Sequence, residues 1–230
     1  MNLFNRYLSN RYLSFALLLS AAGVFFISPL ADANAQEKDK PSAETTVESA
    51  EWTSLFDGES MDGWEKVGKK DSNWEVKDGA LCGSGTQSML VYTKSAFKNF
   101  RYRVEIKIND GGNSGVYFRT PPKPTFREGY EAQVDSTHKD PIRTGSIYGF
   151  CHIYENLVEP DTWFTYEIEV RDDVWRDREL TRIKVIVDGK ELYEHLDFNK
   201  TWGEGHFGFQ QHDPGSKVSI RKVEVFPLDE

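Results

Sequence analysis

The chain has 230 residues, with 28 Lys or Arg against 37 Asp or Glu, and its formal net charge is −9. This acidic balance argues against nucleic acid as a partner, because phosphate binding needs clustered basic residues. Two cysteines exclude a zinc ribbon or a disulfide-rich scaffold, and no Gly-rich phosphate loop, nucleophile elbow or His-Glu-x-x-His motif occurs.

Residues 1–35 have the layout of a secretory signal peptide. Arg6 and Arg11 precede an apolar run over 13–31, and small residues lead up to a cleavage site after Ala35. An uncleaved anchor is the alternative, because an apolar run of this length can just span a bilayer. We predict an exported protein, in the periplasm, on the cell surface or in the medium, with no membrane span after cleavage.

Residues 36–51 are rich in Glu, Lys, Ser, Thr and Pro, and this composition predicts a disordered linker. The folded domain is then predicted over residues 52–230. Export permits a disulfide between Cys82 and Cys151, and two buried thiols are the alternative. The pattern leaves both possibilities open.

The domain consists of short apolar runs bounded by Gly, Asp, Asn and Pro. Phe100–Ile108 alternates strictly between apolar and charged residues, which predicts an antiparallel strand with one wet face. No long helical pattern or fixed repeat is present. We therefore predict an all-β, two-sheet antiparallel β-sandwich of the jelly-roll, concanavalin A-like type. The predicted strands are Trp52–Phe56, Trp74–Val76, Met89–Tyr92, Phe100–Ile108, Ser114–Arg119, Tyr130–Asp135, Phe164–Val170, Ile183–Val187, Leu192–Tyr193, His206–Phe209 and Val218–Phe226.

Three of these segments carry an unusual polar face. Successive side chains of a strand point to opposite faces, so the apolar residues of each segment share one side and its polar residues the other. If the three strands share a sheet, one open face gathers carboxylates, amides, an Arg, a Tyr and imidazoles, a set that suits the hydroxyls of a sugar. An ordinary solvated sheet face is the alternative. The candidate residues on this face are Asn113, Tyr117, Arg119, Glu131, Gln133, Asp135, Gln210 and His212.

The segment after the second of these strands adds two further candidates. Tyr148 and His152 could line the same cleft, and His152 could equally be a hydrogen-bonded core residue. Trp64, Trp74, Trp163 and Trp202 could build a flat sugar platform, although tryptophans at strand starts more often belong to the core.

Several motifs in a fixed order resemble the bacterial domain of unknown function 1080, also called the 3-keto-disaccharide hydrolase domain. Together they extend over about residues 52–227, and their order and spacing are more specific than any one of them. The resemblance implies a concanavalin A-like fold and activity on 3-keto-glycosides. The motifs are Ser54-Leu55-Phe56-Asp57-Gly58, Gly63-Trp64, Trp74-Glu75-Val76, Asp78-Gly79, Gly112-Asn113-Ser114-Gly115-Val116-Tyr117-Phe118-Arg119, Gly129-Tyr130-Glu131-Ala132-Gln133-Val134-Asp135, Thr144-Gly145-Ser146-Ile147-Tyr148-Gly149, Trp163–Val170, Val187-Asp188-Gly189 and Gly208-Phe209-Gln210-Gln211-His212.

The spacing of the acids argues against an ordinary glucanase. Glu131 and Asp135 are four residues apart, so their Cα atoms are separated by roughly 13 Å at about 3.3 Å per residue. Retaining glycosidases hold their carboxyl groups about 5–5.5 Å apart, and inverting ones about 6.5–9.5 Å apart.

A 3-keto sugar needs a base to remove the C2 proton, an electrophile to hold the enolate oxygen and an acid for the leaving group. Glu131, Asp135 and His212 are the predicted catalytic residues and also the predicted ligands of a divalent metal ion of unassigned identity. Substrate binding is assigned to Asn113, Tyr117, Arg119, Gln133, Tyr148, His152 and Gln210.

The sequence is therefore consistent with three alternative functions. The first is an exported enzyme that cleaves 3-keto-glycosides by proton abstraction, elimination and hydration. The second is a hydrolase of unmodified β-glucan, which would need a second acid within about 10 Å of Glu131. The third is a non-catalytic carbohydrate-binding module, which would present an aromatic platform without a perturbed carboxylate or a metal.

Overall fold

Alternating apolar and polar residues form thirteen antiparallel strands and no helix in residues 51–229, the part of the chain that the computed structural model describes. The predicted leader and all but the last residue of the predicted linker lie outside this range. The strands are β1 (Thr53–Ser54), β2 (Trp64–Gly68), β3 (Ser72–Lys77), β4 (Ala80–Gly85), β5 (Ser88–Phe97), β6 (Phe100–Ile108), β7 (Asn113–Thr120), β8 (Tyr130–Asp135), β9 (Phe164–Trp175), β10 (Arg178–Val187), β11 (Lys190–Asp197), β12 (Gly205–Gln211) and β13 (Val218–Pro227).

The strands form two sheets. The eight-stranded sheet has the order β11-β10-β9-β6-β13-β4-β3, with β1 paired to β13, and the five-stranded sheet has the order β2-β5-β12-β7-β8. The predicted all-β jelly-roll sandwich is confirmed. The sequence pattern did not predict β2 and β4, because both end in glycine and neither alternates over enough residues to stand out.

The core lies between the two sheets and is rich in aromatic residues. Along Phe100–Ile108 every second side chain is fully buried, as the alternation predicts. Tyr102 stacks on Phe207 of the other sheet with ring centroids 3.9 Å apart. Burial of each large apolar side chain stabilises the fold by about 1.5–3 kcal/mol, so contacts of this kind hold the two sheets together.

Strand β8 is an edge strand that the following segment covers. The backbone N–H of Gln133 donates to Ser146 at 3.0 Å, and the N–H of Tyr148 donates to the carbonyl of Glu131 at 2.9 Å. The N–H of Thr144 donates to Asp135 at 2.9 Å. These bonds satisfy the outer edge of β8 and seat Tyr148 beside Glu131.

Arg119 does not lie on the open polar face where the alternation predicted it. Its φ is +54°, and the pairing of β7 with β12 shifts register beside it, so the strand is locally irregular and its side chain turns inward. The fully buried guanidinium donates to Asp172 at 2.9 Å, to Thr181 at 3.2 Å and to the carbonyls of Lys98 and Trp202. Arg119 therefore links β7 to β9 and β10 of the opposite sheet.

Cys82 and Cys151 are both free thiols, so no disulfide joins them. Cys82 lies on β4, where its Sγ is 3.6 Å from the hydroxyl of Ser219. Residues 51–229 contain no helix that is long and apolar enough to cross a membrane.

We expect Arg119→Met to lower the free energy of unfolding by about 3–5 kcal/mol. It removes the donor to the carbonyls of Lys98 and Trp202 and leaves Asp172 paired with the partly exposed Lys200 alone. Urea unfolding followed by tryptophan fluorescence measures the change. The matched control is Arg171→Met, which removes a surface pair with Glu169 and should cost less than about 1 kcal/mol. Equal losses in the two variants would contradict the structural role of Arg119.

Candidate active site

A polar cleft of about 530 Å³ lies on the open face of the five-stranded sheet. Strands β7, β8 and β12 supply its floor, because their polar side chains point away from the core. The segment after β8 and the loop before β12 supply its walls. Lining residues are Asn113, Phe126, Arg127, Gly129, Glu131, Gln133, Asp140, Tyr148, Phe150, Thr201, Trp202, Gln210 and His212.

Glu131 lies on the floor of this cleft, where glycine on the neighbouring strand leaves room for it. Tyr117 is paired with Glu131 across β7 and β8, and Gly115 is paired with Gln133. A Cβ atom at position 115 would collide with the Glu131 carboxylate and would lie 2.8 Å from the ring of Tyr117. The missing side chain of Gly115 therefore makes the position of the Glu131 carboxylate possible.

Loss of hydration dominates the electrostatics of Glu131. The side chain is only partly exposed, and burial raises its pKa from an ordinary 4.5 to about 8. Hydrogen bonding to Tyr117 opposes this rise, the negative charge of Asp140 adds to it, and hydrogen bonding to Gln210 opposes it. The carboxyl group is therefore largely protonated at neutral pH, and it is poised to exchange a proton near the pH of most cells.

Tyr117 lies beneath the cleft rather than in it. Its hydroxyl donates to the carbonyl of Phe126 at 3.1 Å and accepts from the amide of Gln210 at 3.0 Å. Burial raises the pKa of Tyr117 well above its ordinary value, and Glu131 raises it further. Tyr117 thus supports Glu131 and Gln210 instead of contacting a ligand across an open surface.

Two amide oxygens of the cleft have unused hydrogen-bonding capacity. Gln133 donates through Nε2 to the carbonyl of Ile142 at 3.3 Å, but its Oε1 has no partner within residues 51–229. Oε1 of Gln210 is likewise buried without a partner in that range. An unpaired buried acceptor costs about 1–3 kcal/mol, and either oxygen would gain a ligand hydroxyl as partner only if its side-chain amide turned toward the cleft.

Asp135 is fully buried and does not line the cleft. Its carboxylate accepts from Arg143 at 2.9 Å and from the backbone N–H of His138 at 3.0 Å, and it lies 3.5 Å from the amide nitrogen of Asn113. Burial raises its pKa, and these partners oppose the rise. Asp135 therefore has a structural role, because its hydrogen bonds fix the conformation of residues 136–143.

His212 lies in a cluster with two residues that the sequence pattern did not select, His138 and Asp213. Nδ1 of His212 is 3.0 Å from Oδ2 of Asp213, and Nε2 of His138 is 3.6 Å from the same oxygen. In the described part of the chain this is the group whose ligand atoms are close enough for one metal ion. The structure does not bring Glu131 and Asp135 into it. Two imidazoles and one carboxylate suit several divalent metals.

Tyr148 and Asp140 form a wall of the cleft beside this cluster, because the N–H of Asp140 donates to Nδ1 of His138 at 3.2 Å. The Tyr148 hydroxyl donates to Asp140 at 3.2 Å, and burial together with Asp140 raises the pKa of Tyr148. His152 lies outside the cleft lining, where it is exposed and its Nε2 accepts from the N–H of Gly149 at 3.0 Å. Asp140 was not predicted, because it follows the strand in a loop where alternation gives no signal.

The tryptophans do not form a sugar platform. Trp64 and Trp74 are buried in the core, and Trp163 packs beneath Lys107 and Arg221. Of the four candidates, Trp202 alone lines the cleft.

A desolvated carboxyl group in a polar cleft is the arrangement expected of a carbohydrate-active protein of the glycoside-hydrolase type. The chain belongs to the 3-keto-alpha-glucoside-1,2-lyase-like domain family, whose model matches residues 51–226. The resemblance seen in the sequence motifs is thereby confirmed. The family and the fold both support carbohydrate as the partner of this protein.

One relative of this chain is a 3-keto-disaccharide hydrolase from Bacteroides thetaiotaomicron. The two proteins are 30% identical over 88 residues, which cover 34% of this chain and 30% of the relative. The match therefore spans under a third of the relative's length.

Solved structures share the fold. A protein from Parabacteroides distasonis that is assigned as a glycosyl hydrolase superposes with a TM-score of 0.63 at 23% identity, over 77% of this chain and 94% of that protein. The carbohydrate binding module CBM66 from Bacillus subtilis superposes with a TM-score of 0.55 at 20% identity, over 71% of this chain and 95% of the module. At these identities the likeness establishes a common architecture.

The raised pKa of Glu131 predicts a pH-dependent stability. Below pH 4.5 the carboxyl is protonated in both states, whereas between pH 4.5 and about 8 the unfolded chain ionises while the folded chain keeps its proton. The wild type should therefore lose stability as the pH rises through this window. Glu131→Gln should be more stable than the wild type at pH 8 by a few kcal/mol, and the difference should shrink at pH 4.

Urea unfolding at pH 4, 6 and 8 tests this expectation. Glu159→Gln, which removes an exposed carboxylate outside the cleft, is the matched control. A constant stability difference between Glu131→Gln and the wild type at all three pH values would contradict the raised pKa.

Proposed function

We propose that this protein cleaves 3-keto-glycosides and that Glu131 is the base that removes the proton from C2 of the sugar. The observation that carries this proposal is a carboxyl group with a pKa of about 8 on the floor of a polar cleft, with room above it for a sugar ring. A base of this pKa is strong enough to attack a C–H bond that a neighbouring ketone has acidified. The family of the chain and its relative from Bacteroides thetaiotaomicron support the 3-keto substrate.

The proposed reaction balances as an elimination followed by a hydration. Glu131 takes the C2 proton, the electrons of the C2–H bond form the C1–C2 double bond, and the glycosidic oxygen leaves C1 with a proton from an acid. Water then adds at C1 and C2, which gives net hydrolysis. In this scheme the Glu131 carboxyl returns its proton during hydration, so it is regenerated in each cycle.

The other residues of the cleft have assignable roles. Tyr148, which is hydrogen-bonded to Asp140, is the proposed acid for the leaving oxygen. Gln133 and Gln210 hold sugar hydroxyls once their side-chain amides turn toward the cleft, and His212 faces the enolate oxygen. A divalent ion on His138, His212 and Asp213 would supply Lewis-acid polarisation of the C3 carbonyl. Arg119 has no part in the scheme, because its donors are used within the fold.

A second candidate function is hydrolysis of an unmodified glycoside. The observation that favours it is that Asp140 lines the same cleft and raises the pKa of Glu131 through its charge. In that scheme protonated Glu131 would be the general acid and Asp140 the second carboxylate. A binding module without catalysis is less well supported, because such a module has no use for a carboxyl group with so high a pKa.

We also propose that the protein acts after export, in the periplasm, on the cell surface or in the medium. The leader-like composition of residues 1–35 supports this location.

Cleavage of paired substrates tests the proposed function. We expect the protein to cleave a 3-keto-glucoside and not the matching glucoside, with product formation measured by mass spectrometry. Glu131→Gln should lower kcat by about 10²–10⁴-fold, as loss of a general base does. For the wild type, kcat/KM should rise with pH up to about 8, because only the ionised carboxylate accepts a proton.

The opposite pH dependence would identify Glu131 as an acid. Cleavage of the plain glucoside with a rate that falls above pH 8 would favour the second candidate function. Glu159→Gln again serves as the control, and full turnover by Glu131→Gln would remove Glu131 from the mechanism.

Metal dependence is a separate prediction. We expect the wild type to bind about one equivalent of a divalent metal by inductively coupled plasma mass spectrometry, and a chelator to lower its turnover. The double variant His138→Asn/His212→Asn should lose both the metal and the chelator effect, whereas His195→Asn, which lies against Phe150 outside the cluster, should keep them. Equal metal content in the two variants would contradict this site.

A further inference from the structure

A second groove continues from the cleft along the same sheet face. It has a volume of about 750 Å³ and lies over β2 and β5, and it shares Phe126 and Arg127 with the cleft. The two cavities are therefore adjacent, with the 123–127 segment common to both. The groove is lined by Val67, Gly68, Lys69, Gln87, Ser88, Met89, Lys123, Pro124, Thr125, Phe126 and Arg127.

The floor of this groove is apolar, unlike the floor of the cleft. Met89, Val91 and Tyr117 form a buried cluster against which Val67 and Phe126 pack. This cluster lies on the side of the sheet opposite the main core, where an outward face is ordinarily polar. The sheet face thus changes from hydrogen-bonding groups over β7 and β8 to hydrocarbon over β2 and β5.

The rim of the groove is positively charged in a protein whose net charge is −9. Lys69, Lys123 and Arg127 are exposed there. Neither Lys123 nor Arg127 forms an ion pair with any residue in the 51–229 range. The nearby carboxylate of Glu128 instead accepts from the backbone N–H of Thr125 at 2.8 Å. The two cations are therefore free to meet a negative group of a ligand.

We propose that this groove is the aglycone subsite and that it takes an apolar ring carrying an acidic substituent. The inference rests on the proposed function of the neighbouring cleft, which holds the sugar. An aryl glycoside has a polar sugar half and an apolar ring half, and the two cavities match those halves in order along the sheet. Phe126 lies at the junction, where its ring stacks on His212 with centroids 6.2 Å apart. The groove thereby selects among 3-keto-glycosides by their leaving group.

Equilibrium binding to Glu131→Gln tests the subsite without turnover. The probes are the methyl, phenyl and 4-carboxyphenyl 3-keto-glucosides, measured by isothermal titration calorimetry at low ionic strength. We expect affinity to rise from methyl to phenyl, and the 4-carboxyphenyl compound to bind about tenfold more tightly than the phenyl one. High salt should reduce the gain in affinity from phenyl to 4-carboxyphenyl, because salt screens charges. It should leave the gain from methyl to phenyl unchanged, because that gain comes from hydrocarbon contacts.

Two matched pairs of variants separate charge from apolar contact. Added to Glu131→Gln, Lys123→Glu should abolish the preference for the carboxylate, and Lys190→Glu, an exposed lysine on β11, should leave it. Val67→Asp should weaken both aromatic probes about tenfold, and Val174→Asp, at an exposed valine on β9, should not.

Failure of the subsite and failure of the proposed function give different results. Equal binding of the three probes, or equal effects of Lys123→Glu and Lys190→Glu, would overturn the subsite alone. Absence of binding by every probe, the methyl 3-keto-glucoside included, would overturn the proposed function together with the subsite that rests on it. Tight, Lys123-dependent binding without cleavage by the wild type would support the subsite and overturn the proposed function.

Discussion

The side chains of β7, β8 and β12 point alternately to the two faces of the sheet, and the rest of the structure depends on this alternation. Each strand must send one set of side chains into the core and the other into the cleft, so one backbone builds both. Val134 and Phe209 hold the sheets together, while Gln133 and Gln210, next to them in the chain, line the cleft. A register slip by one residue would exchange the two sets and destroy core and cleft together.

The chemistry of Glu131 follows from its neighbours more than from its own residue type. The strands approach closely because Gly115 has no side chain, and the carboxyl group fills the space that this leaves. Partial burial removes water from the carboxyl group, and loss of water favours its neutral form. A surface glutamate on the same strand would remain ionised at neutral pH and would be a weaker base.

Strand alternation was sufficient to predict the sandwich and the shared face of Glu131, Gln133 and Gln210, because both depend only on the two-residue repeat. It misplaced Arg119, since a single residue with a positive φ reverses the direction of the side chain and leaves no mark in the polar pattern. It also overlooked His138, Asp140 and Asp213. These residues lie in loops, where the turn geometry decides which side chains meet and no periodicity reports it.

The bonds that cover the outer edge of β8 have a consequence for solubility. An uncovered edge strand offers its free N–H and C=O groups to another chain, and such edges start aggregation. Here Thr144, Ser146 and Tyr148 pair with those groups, and the same segment forms a wall of the cleft. Substitutions that loosen this wall to admit a bulkier ligand would also expose the unpaired backbone groups of the β8 edge. The width of the cleft and the resistance of the protein to aggregation are therefore physically coupled through this one segment.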